Sequence, residues 1–229
     1  MIAWNCRGIG FTLAVLSLTD EVRTHEPLLV FLAKTKASAS RIKGLQAKLN
    51  YTQGITVPSD SRSGSLTLLW KEGAKVSFKS YSNSHIDVVV RESASSPPWK
   101  AISFYSHPDT EKKYISWKLL NALRDQCDLP WIVFSDFNEI IYSYEKAEGL
   151  ERNGKQKTDF RDCLGRCGLL DLGYVGQRFT WCNGRYGDQR TKLRLDRMVV
   201  IEDWLKLYPE LACIISQCPI LITACWFWP

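Results

Sequence analysis

Short runs rich in β-branched and aromatic residues alternate with amphipathic stretches along almost the whole chain, and this alternation restricts it to a layered α/β architecture. Strand-like runs are expected at 2–5, 28–32, 66–70, 76–81, 86–91, 100–105 and 131–134. Helical stretches are expected at 12–24, ended by Pro27, and at 40–49, 157–167 and 203–207. A further helix opens at Asp109-Thr110-Glu111 and presents Ile115, Leu119, Leu120 and Leu123 on one face. Apolar runs at 193–200, 211–215 and 220–223 complete the pattern. With 229 residues and no internal repeat or linker, the chain reads as a single domain of mixed strands, in two packed sheets with helices outside.

The formal charge is +6, which suits a polyanionic partner without requiring one. Its placement says more. No acidic residue occurs between Pro27 and Ser59, where Lys34, Lys36, Arg41, Lys43 and Lys48 fall, and a second basic set comprises Arg178, Arg185, Arg190, Lys192, Arg194 and Arg197. Each set is either a solvated face or part of a groove that contacts phosphates, with Arg178, Arg190, Lys192 and Arg194 the candidate nucleic-acid contacts. No apolar run approaches the roughly 18 residues of a membrane span. The first residues read as a strand, not a secretory leader, so an intracellular setting and eight reduced cysteines are expected. Cys163 and Cys167 share a helix face, and no CxxC knuckle suggests zinc.

Polar residues gather where strands end, the usual place for a site on a rigid scaffold. Asn5 follows the first strand, Tyr105 ends the strand before the long helix, Asp136 and Asn138 follow 131–134, and Asp196 lies between Arg194 and Arg197. Singly, each is a turn residue or part of a surface ladder. Seven segments carry a resemblance when taken in order: Trp4-Asn5-Cys6-Arg7-Gly8, Phe31-Leu32-Ala33-Lys34-Thr35-Lys36, Leu68-Leu69-Trp70, Phe104-Tyr105-Ser106-His107-Pro108, Ser135-Asp136-Phe137-Asn138-Glu139, Phe179-Thr180-Trp181 and Arg194-Leu195-Asp196-Arg197. Across almost its whole length the chain resembles the endonuclease/exonuclease/phosphatase superfamily, in particular the apurinic-type endonuclease domain of plant LINE (non-LTR) retrotransposons.

That resemblance implies a four-layer αββα sandwich that binds Mg²⁺ and hydrolyses DNA phosphodiesters. It gives Asn5 a part in metal and phosphate binding, and makes Asp136 the residue that orients or deprotonates the attacking water. Asn138 would hold the phosphate, Tyr105 would donate a hydrogen bond to it, and Asp196 would orient a catalytic histidine. Two departures qualify this. Lys34-Thr35-Lys36 stands where the family has Glu-Thr-Lys, so a cation replaces a metal ligand; Ser216-Gln217 stands where the family has Asp-His before Cys218-Pro219-Ile220. The chain's three histidines, His25, His85 and His107, all precede Asp196, and His107 reads as a turn residue. The apolar ending at 225–229 reads as a frame truncated or altered after about residue 222.

A catalytically impaired hydrolase without bound Mg²⁺ is therefore expected, with weak, phosphate-driven DNA binding and no membrane association. The alternatives are a working nuclease with substitute groups, a silent nucleic-acid-binding domain, a retroelement remnant without selected activity and, more weakly supported, a small-molecule phosphatase.

Overall fold

A computed structural model describes residues 1–229 except 7, 10, 11, 59–64, 127, 211, 216–223 and 227–229. The first half runs β1 (Ile2–Asn5), α1 (Thr12–His25), β2 (Leu29–Ala33), α2 (Ala39–Lys48), β3 (Gln53–Val57), β4 (Leu66–Trp70), β5 (Lys75–Ser82), β6 (His85–Arg91), β7 (Trp99–Tyr105) and α3 (Lys113–Arg124). The second half runs β8 (Trp131–Asp136), β9 (Lys146–Ala147), α4 (Gly154–Cys167), β10 (Leu170–Asp171), β11 (Val175–Gly176), β12 (Trp181–Cys182), β13 (Lys192–Leu193), β14 (Asp196–Val200), α5 (Glu202–Leu207), β15 (Ile214–Ile215) and β16 (Ala224–Trp226).

Two mixed sheets result, ordered β11-β15-β16-β1-β2-β4-β3 and β10-β14-β8-β7-β6-β5, with a small third sheet β12-β13-β9. Strand alternation then builds the layers. On β7, Trp99, Ala101 and Tyr105 join the core between the sheets, while Ile102 and Phe104 join an outer core with Trp117, Leu120, Phe160 and Cys163 of α3 and α4. All seven β7 residues are buried because both faces of the strand are covered. On the other sheet, Ile2, Trp4, Val30 and Leu32 pack outward against Leu18 and Val22 of α1 and Ile42 and Leu45 of α2. The expected αββα arrangement is the one observed.

Two sequence expectations need correction. The face of α3 turned inward carries Ser116, Trp117, Leu120 and Leu123, and Ile115 is left exposed. Aromatic packing decides the rotation, since Trp117 stacks on Phe160 of α4 at 4.8 Å between ring centroids. The strand β3 was not anticipated, because Gln53 and Gly54 are exposed and dilute its alternation. The apolar run expected at 220–223 lies outside the described residues; the last described strand, β16, begins at Ala224 and pairs with both β1 and β15.

His85, at the start of β6, is buried with its ring nitrogens 2.9 Å and 2.8 Å from the Ser80 and Ser82 hydroxyls. Burial, reinforced by the Lys100 ammonium, lowers its pKa from 6.5 to about 4. Such a histidine favours the folded state while neutral, so its contribution is complete above about pH 6.5 and is lost as pH falls towards 4. Chemical denaturation at pH 7 and pH 5 is expected to show stability falling over that window, and His85→Gln is expected to flatten the fall. An equal fall in the variant would assign the acid sensitivity elsewhere.

Candidate functional site at the strand ends

Topology brings the singled-out residues together. β1 runs parallel to β2 with Asn5 opposite Ala33, and β7 runs parallel to β8 with Tyr105 opposite Asp136, so Asn5, Lys34, Tyr105 and Asp136 all sit at strand C-terminal ends. β14 enters antiparallel and places Asp196 directly opposite Asp136. Across the sandwich, the Asn5 side-chain amide donates to Asp136 Oδ2 at 2.7 Å. The backbone N–H of Asn138 donates to Asp136 Oδ1 at 2.9 Å, and its side-chain amide donates to the Ser106 carbonyl at 2.9 Å. Asn138 has φ +51, a left-handed conformation that asparagine accepts more readily than most residues.

Lys34 points into this cluster. Its ammonium lies 3.8 Å from Asp136 Oδ2 and 4.4 Å from the Tyr105 ring centroid. The turn that carries it is fixed on both sides. Lys34 and Lys36 have φ +54 and +48, and the fully buried Thr35 between them shares a hydroxyl contact with Ser65 while its carbonyl accepts from the Ile9 N–H at 2.8 Å. Burial and the Asp136 carboxylate raise the Tyr105 pKa, with Lys34 opposing, so its phenol remains a protonated donor at neutral pH. Among the described residues, the buried Asn5 Oδ1 has no hydrogen-bond partner.

A network the sequence did not announce positions Asp196. Thr180 accepts the N–H groups of Leu195 and Asp196 on one hydroxyl, each at 3.0 Å. On either side of Asp196, Arg194 and Arg197 are buried, not the exposed ladder or phosphate contacts their spacing suggested. Arg194 forms a two-pronged pair with Asp171, at 2.8 Å through each nitrogen, and Arg197 reaches Glu145 at 3.0 Å and Asp171 at 2.7 Å. Burial raises the Glu145 carboxyl's pKa, but Arg197 and Arg194 outweigh it, leaving the carboxyl below its ordinary range. Arg194 is thus removed from the candidate nucleic-acid contacts by its partners. Arg178 and Arg190 are exposed, and the half-buried Lys192 makes only a loose surface pair with Glu148 at 3.8 Å. His107 takes the Asp109 N–H on its Nδ1 at 3.1 Å, the turn role expected of it. Ser216 and Gln217 lie outside the described residues.

The donor set does not suit Mg²⁺. By formal charge, Asp136 and Asp196 contribute −2 and Lys34 +1, leaving −1, whereas a glutamate at 34 would give −3. A hard dication needs anionic oxygen at that position, and here it would meet an ammonium already held against Asp136. Among the described residues no three His, Cys, Asp or Glu side chains converge as a metal would require.

No family model matches the sequence, and no curated protein is similar to it in sequence. Solved structures are similar in three dimensions. The endonuclease domain of TRAS1, a telomere-specific non-LTR retrotransposon, superposes with a TM-score of 0.69 at 17% identity, over 99% of this chain and 96% of that one. The chain has the endonuclease/exonuclease/phosphatase fold. An endonuclease/exonuclease/phosphatase family protein from Bacteroides thetaiotaomicron superposes at 0.60 and 11% identity, over 88% and 83% of the two chains. The 3′ phosphatase NExo from Neisseria, bound to product DNA hairpin, does so at 0.70 and 13%, over the full length of both. In the frame of this endonuclease/exonuclease/phosphatase fold, the cluster around Asp136 lies at the C-terminal ends of the parallel strand pairs of both sheets.

Proposed function

We propose that this domain is a DNA-binding derivative of a LINE-type, metal-dependent endonuclease, in which Lys34 holds the place of the metal and hydrolysis is reduced to background. The observation that carries the reading is the 3.8 Å contact between the Lys34 ammonium and Asp136 Oδ2. Unit charges at that distance attract by about 4 kcal/mol at an effective dielectric near 20, before desolvation. The order of the seven quoted segments and the similarity to the TRAS1 domain support the LINE-type origin. Losing a positioned general base costs about 10²–10⁴ in rate, and losing metal-borne charge stabilisation costs several kcal/mol more. What this chain's own residues supply is binding: Tyr105 and Asn138 offer donors at the site, and Arg178, Arg190 and Lys192 offer cations on the stretch whose Thr180 holds the Asp196 backbone.

Affinity for duplex DNA measured across salt, in EDTA and in Mg²⁺, tests this. If Arg178, Arg190 and Lys192 each neutralise one phosphate, the log–log slope is about −2.7, a loss of roughly 40-fold between 50 and 200 mM salt. The curve is expected to be the same in EDTA. Affinity that needs Mg²⁺, or that ignores salt, would overturn the proposal.

A further inference from the structure

The loop that leaves the site after Asn138 carries a feature the site does not use. Tyr142 and Tyr144 are 48% and 60% exposed, yet their rings lie parallel, 5.3 Å apart with 13° between planes. Ordering two exposed rings costs conformational entropy, and here cations hold the loop that carries them. Arg161 donates to the Ile141 carbonyl at 2.8 Å, Lys157 to the Ser143 hydroxyl at 2.7 Å, and Arg178 to the Tyr144 carbonyl. The Arg178 guanidinium also stacks 6.0 Å from the Tyr144 ring and 5.1 Å from the Phe179 ring. The loop's own acid, Glu145, is buried and paired with Arg194 and Arg197, so the cations that touch the exposed rings and their loop, Arg178, Arg161 and Lys157, are not neutralised by it.

Preformed aromatic faces edged by cations suit unpaired bases with their phosphates. Every base has a π-face, and a duplex hides it. We propose that the Tyr142–Tyr144 pair is a stacking platform for the bases of single-stranded nucleic acid passing the site, a role that rests on the nucleic-acid reading above. Arg178 then serves twice, as a support for the rings and as a phosphate contact.

Fluorescence anisotropy in EDTA tests it, with a labelled oligothymidylate and a duplex of equal length, and with polyphosphate as a competitor that has charge but no bases. Tyr142→Ala/Tyr144→Ala is expected to weaken oligothymidylate binding roughly 10-fold to 100-fold. Duplex affinity and polyphosphate competition are expected to stay as in wild type, and Tyr142→Phe/Tyr144→Phe is expected to bind the single strand normally. Equal losses for single strand, duplex and polyphosphate would make the loop a general anionic-ligand surface and overturn the platform. An unchanged single-strand affinity would overturn the platform alone, leaving phosphate binding intact. No binding of either DNA by wild type would overturn both this and the DNA-binding reading.

Discussion

Lys34→Glu is expected to turn a protein indifferent to Mg²⁺ into one that is stabilised by it. In EDTA the variant loses an attraction to Asp136 and gains a third carboxylate beside Asp136 and Asp196. The Lys34 side chain is 22% exposed, so solvent screening limits the loss to about 1 kcal/mol, or roughly 2–4 °C in a domain of this size. Mg²⁺ at about 100 times its Kd should return about 2.7 kcal/mol, raising the variant's melting temperature by roughly 5–10 °C. Wild type should melt at one temperature with or without Mg²⁺. Thermal scans of both proteins in EDTA and in Mg²⁺ check this, and a wild type that Mg²⁺ stabilises as much as the variant would refute the charge argument. The proposed function separates cleavage from metal binding: Gln217 can hydrogen-bond but cannot exchange protons near neutral pH, so Gln217→His is expected to be needed on top of Lys34→Glu for activity to rise. On the proposed alignment of residue 217 with the family's histidine, both changes act on one catalytic constellation, so their effects should be non-additive.

The second large effect concerns stability. Arg197→Ala removes one of the two cations on Glu145 and Asp171, which Arg197 meets at 3.0 Å and 2.7 Å from a side chain with no solvent exposure, and leaves Arg194 alone to neutralise both carboxylates. Breaking a buried pair on one side typically costs about 3–5 kcal/mol; with Arg194 still on both carboxylates the lower end is expected, about 3 kcal/mol or roughly 6–12 °C in melting temperature. Arg178→Ala, taken from the same basic stretch, loses one carbonyl contact and two ring contacts at the surface, so it should lower the melting temperature far less than Arg197→Ala while weakening DNA binding. Scans that ranked the two in the reverse order would mean that the buried network is not what holds β14 and Asp196 in place.

These contrasts also mark what the sequence could carry. The long strands and helices were legible because apolar periodicity reports burial, and β4 begins and ends where its run of five apolar or β-branched residues does. The convergence of Asn5, Lys34, Tyr105, Asp136 and Asn138 was legible through the ordered segments, since parallel pairing delivers strand ends to one side. The fate of Arg194 was not. An Arg-Leu-Asp-Arg run looks the same whether its partners are phosphates or the distant Asp171 and Glu145, and only tertiary structure brings those two carboxylates near. Thr180 lies in the Phe179-Thr180-Trp181 segment, yet its hydrogen bond to the Asp196 backbone depends on a turn that spacing does not reveal. The two-residue strands β9, β12 and β13 are too short to carry a period at all.

The charge inversion at Lys34 bears most directly on activity, and nicking of supercoiled plasmid by the wild-type protein measures it. With Mg²⁺ or Mn²⁺ at neutral pH and protein in excess of DNA, nicking is expected to match the EDTA control, while the same protein still shifts the plasmid at low salt. Metal-dependent nicking by wild type that exceeds the EDTA control and disappears in Asp136→Ala would contradict the account.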